Sequence, residues 1–565
     1  MTEKSVSQVE GWAVLACCMA VSMAAIVWSW RHDALLNYGD AVAHLHIARR
    51  VFDSRTPRFS QLGSVWLPLP HILLIPFVQN YEWWATGLAG VIPSSLAYIA
   101  SCTGIYRLAR RWLSPAASAL ALVFFALNPN LLYLQTTAMT EPLFLCEMIW
   151  IVVWMVEWRA ALDSDRKQAI RMQSIIAAAL VAAIFTRYDG WIIALLAWTG
   201  IGLALRNRRK LGSPAFWLAS LAVVAAPILW FIYNSVAFGD WLYFARGPYS
   251  AAAIELNNSV PYWPPHPGWH NLWVALLFFL KASQIDSVAA AARGNVVANL
   301  VLALAALGTA VAFFVERAGA PGDRFSLLGR KPFNRCALAW TLLLWLPVPF
   351  YAYSVAYGSV PIYLPVWWPH TWYNTRYGLE LLPALAVGLG FAAQFAVNFL
   401  RRLPFTRLAP HLPVLAFAIL FALAGLNCYQ LLRQDPVVYV ESTKNLDARL
   451  PYDEAIPPLL QDMVTTFPGA PILMDTSTHP EIVSLTGIPL RETINESDLL
   501  LWRTALAAPA AHAAIVVAFD GDAVDRAVKA HPGDLSVAGR FTAKSQPSVT
   551  VYLSASWVNR IPNLF

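Results

Sequence analysis

Along its length the chain alternates apolar runs with short basic segments, and that alternation sets its organisation. A helix needs about 20 apolar residues to cross the hydrocarbon core of a bilayer. Runs that approach or reach this length cover 11–30, 83–106, 115–134, 143–158, 216–238, 295–315, 338–351, 379–400 and 412–432. A further stretch, 174–205, is too long for one crossing and is interrupted by Thr186-Arg187-Tyr188-Asp189-Gly190. Arg, Asp and Gly in succession predict two helices joined by a sharp hairpin, with Arg187 and Asp189 in a wet crevice at its tip.

Basic residues supply the sidedness. Arg107, Arg110 and Arg111, then Arg159 to Arg171, Arg206 to Lys210, Arg317 to Arg335, and Arg401, Arg402 and Arg407 all fall in loops that the path places on one side. By the positive-inside rule that side is cytoplasmic, which predicts about eleven crossings, a cytoplasmic N-terminus and a periplasmic C-terminus in a bacterial inner membrane. The first run is too long for a signal-peptide core and lacks a small-residue cleavage site, so it reads as a signal anchor. The outer loops are aromatic and rich in proline. Prolines in Ser64 to His71 predict a re-entrant or surface-lying segment, and Trp269 to Leu280, followed by Lys281, reads as an interfacial helix.

From Gln434 the texture changes to evenly spaced charge. Pro471 to Asp475, Ala513 to Phe519 and Val549 to Ser554 read as strands, and Pro480 to Leu485 and Ala523 to Ala530 as helices. The expected architecture is therefore a mainly α polytopic membrane domain, 1–433, followed by a soluble α/β domain, 434–565, of a size that folds alone. With no glycine fingerprint after a strand, the second domain reads as a structural cap over the outer face.

Composition excludes the soluble classes. Among 565 residues 58% are hydrophobic and only 13% charged. The net charge of +7 resides in topology-setting loops, so nucleic acid is not an expected partner and the lipid bilayer is. The six cysteines form no CxxC pair or Cys/His cluster, so neither a disulfide framework nor a zinc ribbon is indicated.

The unusual polar groups fall on the outer side: Asp40, His44 and His46 in Tyr38-Gly39-Asp40-Ala41-Val42-Ala43-His44-Leu45-His46, then His71, Glu141, Arg187, Asp189, Asp240, Arg246, Tyr249, Arg376 and Tyr377. Charged side chains beside a membrane are costly unless water, a headgroup or a substrate compensates them, so their convergence predicts an outward-facing polar cavity. Two chemistries suit it: transport of a solute, or reaction of a lipid-borne substrate. For reaction, the economical expectation is transfer of a hexosyl or pentosyl group from a polyprenyl-phosphate sugar to a glycan, lipid or protein acceptor. Phosphate leaves without a general acid. The chemistry needs a carboxylate to take the acceptor's proton, for which Asp40 is the candidate, and cations on the departing phosphate, for which Arg376, Arg246 and Arg187 are candidates. One direct displacement inverts the anomeric centre.

At these motifs the chain resembles the GT-C superfamily of integral membrane glycosyltransferases, which includes protein O-mannosyltransferases and lipid A aminoarabinose transferases. The resemblance rests on Asp40 soon after the first span, Thr140-Glu141-Pro142-Leu143, Thr186 to Trp191, and Asn374-Thr375-Arg376-Tyr377 with Leu381-Leu382-Pro383. It covers the membrane part and not the C-terminal domain. It implies a lipid-phosphate donor and a first-loop acid acting on the acceptor. Asp40 is followed by Ala41, unlike the protein mannosyltransferases, so their substrate is not carried over.

Plainer roles compete. Asp40 can cap a helix starting at Ala41, and Glu141 can cap the fourth span with Pro142 at its first position. Arg187 and Asp189 can form a structural pair, and Arg376 an interfacial anchor. His44, His71, Glu141, Arg187, Asp189, Arg246, Tyr249, Arg376 and Tyr377 stand as candidate substrate-binding residues. No metal ligands are assigned, and a divalent cation near Asp40 and one histidine is the minority alternative. A lipid-linked saccharide transporter or flippase is the competing class, which internal repeats would favour and the sequence does not display. In a third reading the C-terminal domain carries the function and the membrane part is its platform.

Overall fold

The computed structural model describes residues 6–258, 265–292, 294–318, 335–402, 411–544 and 546–558. The basic residues Arg324, Arg330, Lys331 and Arg407 lie outside the described residues. The chain is mainly helical and ends in a five-stranded mixed sheet.

Among the described residues nine helices are long and apolar enough to cross a membrane. Two of the expected crossings fall short of that standard for local reasons. The run 115–134 divides into Pro115–Ala126 and Pro129–Leu134, because Asn128 caps the second piece through the N–H groups of Asn130 and Leu131 (3.0 and 3.2 Å), and Pro129 cannot continue the first. Helix Glu141–Ala161 is long enough but carries Glu141, Glu147, Glu157 and Arg159, all buried. The 186–190 break forms as expected. One helix stops at Thr186, Arg187 is extended, and the next starts at Asp189. Gly190 is required there because a Cβ would collide with the carbonyl of Ala183.

The first helix, α1 (Gln8–Arg31), is a rim element: 11% of its apolar window is buried, against 78% for Thr375–Leu400, which runs through the centre. That central helix packs on Val296–Ala318 through small residues. A side chain at Gly308 or Gly388 would strike the opposite backbone, so the glycines permit the close approach. The segment expected at the interface, 269–280, forms the first part of helix Leu272–Ser287, with Leu272 and Trp273 exposed and the residues from Lys281 to Ser287 buried. Lys281 turns inward to Ala291 O (2.7 Å) and Asn295 Oδ1 (2.5 Å) rather than to an aqueous surface.

After the last crossing, Leu412–Arg433, the long helix Val437–Thr466 begins inside the helical part: Tyr38 donates to Val438 O (2.9 Å) and the Val438 N–H donates to Asn130 Oδ1 (2.9 Å). It leads to the sheet, β1 (Ile472–Met474), β2 (Thr493–Ile494), β3 (Ile515–Phe519), β4 (Leu535–Phe541) and β5 (Val549–Ser554), in the order β2-β1-β3-β5-β4. β1 pairs in parallel with β2 and β3, while β5 is antiparallel to β3 and β4. The strands β1, β3 and β5 coincide with the apolar runs in the sequence. β2 is only two residues long, and β4 is an edge strand with most side chains exposed, so neither leaves a hydrophobic signature.

Candidate active-site cavity

Helix α2 (Gly39–Arg50) carries the opening motif. Its N-cap is Tyr38 and no side chain caps it, so Asp40 lies inside the first turn and the capping role does not hold. The Asp40 carboxylate points instead to Arg376, whose Nη2 donates to Oδ2 at 2.7 Å. The Asp40 side chain remains 42% exposed and faces a cavity of about 740 Å³.

Arg376 is the hub of the floor. Its Nε donates to Glu141 Oε1 (3.1 Å) and its Nη1 to Glu441 Oε1 (2.9 Å), and its guanidinium lies over the rings of Tyr38 and Tyr377. Glu441 comes from the start of helix Val437–Thr466 and also accepts the backbone N–H groups of Asn374 and Thr375, each at 2.9 Å. Asn374 has φ of 55°, a left-handed conformation that asparagine tolerates, and the Glu441 clamp holds the loop in it. Glu141, the first residue of its helix, does not cap it; 1% exposed, it bridges Arg376 and Arg187 (3.3 Å).

Arg187 sits beneath this layer. It pairs with Glu141, Glu380 (3.1 Å) and Asp189 (3.5 Å) and donates to Thr140 Oγ1 and the Tyr351 hydroxyl. Neither it nor Asp189 is among the residues that line the cavity, and the two are joined within this network. His44 and His71 share a hydrogen bond of 2.8 Å in a buried layer behind α2, and burial lowers His44 to about 4, which keeps it neutral at physiological pH. Arg246 stands exposed and is not among the residues that line the cavity. Tyr249, Arg376 and Tyr377 do line it. Among the described residues no group of three His, Cys, Asp or Glu side chains is placed to hold a metal ion.

The sequence reading missed three contributors. Glu441 closes an apolar run, Val437 to Val440, and a lone acid in such a run next to a crossing is itself a signal of function. Arg50, the last residue of α2, lines the cavity, with Nε donating to Gln61 O (2.5 Å) and Nη1 lying 3.9 Å from Glu496. Thr476, Ser477, Glu496 and Ser497 of the C-terminal sheet form one wall. The C-terminal domain is therefore part of the cavity and not only a cap. It docks through Arg491 on Asp53 (3.3 Å), Thr56 on Asp498 (2.9 Å) and Gln61 on the Ser497 carbonyl (3.3 Å).

Burial, with Asp475 nearby, pushes the Glu496 carboxyl up to about 7. The folded protein thus binds that proton more tightly than the unfolded chain. The resulting stabilisation is complete below the ordinary glutamate range and is lost as pH rises through about 7. Thermal midpoints measured in detergent between about pH 5 and about pH 8 should fall more steeply for the wild type than for Glu496→Gln. Parallel curves would refute the assignment.

No protein-family model matches the chain, and no curated protein sequence does. Among solved structures it is similar to ArnT from Cupriavidus metallidurans bound to undecaprenyl phosphate, with a TM-score of 0.53 and 16% identity over 96% of this chain and 98% of that one. The apo form of the same protein gives a TM-score of 0.46 at 16% identity, with the same coverage. The oligosaccharyltransferase of Archaeoglobus fulgidus in complex with zinc and sulfate gives 0.46 at 12%, covering 96% of this chain and 73% of that one. The similarity to ArnT extends beyond the membrane part expected from the motifs and takes in the C-terminal sheet, and what it shows is the fold. The chain is a mainly helical multi-pass membrane protein whose fold is similar to that of ArnT.

Proposed function

We propose that the protein is a glycosyltransferase that moves a sugar from a polyprenyl-phosphate donor to an acceptor on the extracytoplasmic face. The observation that carries this reading is the Asp40 carboxylate, half-exposed in a cavity of about 740 Å³ and oriented by Arg376, in a fold similar to that of ArnT bound to undecaprenyl phosphate.

The acceptor hydroxyl gives its proton to Asp40 as its oxygen bonds to the anomeric carbon. The bond from that carbon to the phosphate oxygen breaks, and lipid phosphate leaves with the electron pair. This is a single inverting displacement. Positive charge builds on the sugar ring in such a step, and the carboxylates around Arg376 favour it. Arg376 and Arg50 are the guanidinium groups that line the cavity, and they are the candidates to hold the departing phosphate. Arg376 has given three of its donors to carboxylates, so it acts by directed N–H groups more than by net charge. Arg50 faces one carboxyl, Glu496 at 3.9 Å, which burial biases toward its neutral form, so its charge is less compensated than that of Arg376.

Purified protein incubated with a panel of undecaprenyl-phosphate sugars should release undecaprenyl phosphate from at least one of them. Absence of release across the panel, in protein that melts cooperatively, would count against the reading.

A further inference from the structure

β1 lies between β2 and β3, and all three are parallel, so the chain leaves β1 toward one side and returns on the other. In open α/β sheets ligands bind outside the carboxyl ends of the strands; the reversal itself lies between β1 and β3, but the residues that reach the cavity here are those leaving β1 and β2. Here the segment leaving β1 is Asp475-Thr476-Ser477, and the segment leaving β2 holds Glu496 and Ser497. Both segments open onto the cavity that contains Asp40.

Their hydroxyl groups are oriented. Asp475 accepts the Ser477 hydroxyl at 2.6 Å and the Tyr249 hydroxyl at 3.4 Å, while Glu496 accepts the Thr476 hydroxyl at 3.0 Å. A hydroxyl that has given its proton to a carboxylate can only accept with its lone pairs. This wall therefore presents acceptors, and the residues it contributes to the described lining include no Lys or Arg. A phosphate or carboxylate, itself acceptor-only, finds none of the hydroxyl groups of Thr476, Ser477 and Tyr249 free to donate to it. A sugar ring finds an acceptor for several of its hydroxyl groups, and Tyr243 and Trp66 in the same cavity offer aromatic faces for its C–H side.

We propose that the carboxyl ends of β1 and β2 form the acceptor subsite and that the group held there is a saccharide, bound through Thr476, Ser477 and Tyr249; the word acceptor rests on the transferase reading above. The guanidinium groups on the membrane side are left for the lipid phosphate, whose tail arrives between the helices. The two substrates thus meet at Asp40 from opposite sides.

The test uses the full chain in a detergent without a sugar head group. Neutral trisaccharides of hexose, N-acetylhexosamine and pentose units and tri-lysine are compared by saturation-transfer NMR. At least one trisaccharide should bind, and Tyr249→Phe and Glu496→Gln should each weaken it roughly tenfold. Melting curves establish that both variants are folded. Tyr249→Phe alters no contact within the sheet domain's own core and guards against loss of folding in the other variant. Absence of trisaccharide binding, binding that neither variant changes, or tighter binding of tri-lysine would overturn the inference. Wild-type protein that binds a trisaccharide but releases no lipid phosphate from any donor would overturn the transferase reading and leave the saccharide site standing.

Discussion

Asp40→Asn is expected to lower sugar transfer by about 10²-fold to 10⁴-fold, the range assigned to a positioned general base. The carboxamide keeps an oxygen for Arg376 Nη2 but cannot take a proton from the acceptor. Because the Asp40 side chain is 42% exposed and makes its hydrogen bond to one guanidinium, the fold should tolerate the change. The measurement pairs release of undecaprenyl phosphate with thermal melting. Wild-type turnover in a correctly inserted variant would remove Asp40 from the chemistry, and lost turnover with an unchanged melting point would support it.

Arg376→Leu should fail in a different way. Three carboxylates converge on this side chain, and Glu141 and Glu441 are each 1% exposed. Removing the cation leaves both acids buried without this partner, and breaking one buried pair costs about 3–5 kcal/mol. Set against a net stability of about 5–15 kcal/mol for a folded domain, the loss should abolish cooperative melting or lower its midpoint by many degrees. Arg376→Lys keeps the charge but cannot reach three carboxylates in a fork, so an intermediate melting point is expected. A midpoint within about 1 °C of the wild type for the leucine variant would show that the hub does not stabilise the fold. The contrast with Asp40→Asn matters, because one substitution tests chemistry in an intact cavity and the other tests the frame that aims it.

The candidate site divides along the same line. Asp40, Arg376 and Tyr377 were legible because charged and aromatic groups next to apolar runs have few structural excuses. His44, His71, Arg187 and Asp189 gave the same signal and lie outside the cavity lining, since charge in an apolar setting marks lining and supporting residues alike. Arg246 gave it too and stands outside. Glu441 was overlooked because it follows the change of texture at Gln434, which directs attention to a separate domain, whereas the first turns of its helix are embedded among the membrane helices. The docking contacts of Asp53, Thr56 and Gln61 on residues 491–498 have no sequence signature, because they join segments more than 400 residues apart.

The sequence by itself determined the membrane class, most of the crossings, the hairpin break at Arg187 and three of the five strands. These are local properties: hydrophobic length, proline and glycine placement, and β-rich runs each act over a few turns of chain. Tertiary structure alone decided that Arg376 binds three carboxylates from three distant segments, that Asp40 caps nothing, and that the C-terminal part supplies one wall of the cavity it faces. Such features depend on which side chains meet across the fold, and the charge balance of a buried site is a sum over neighbours that no window along the chain contains.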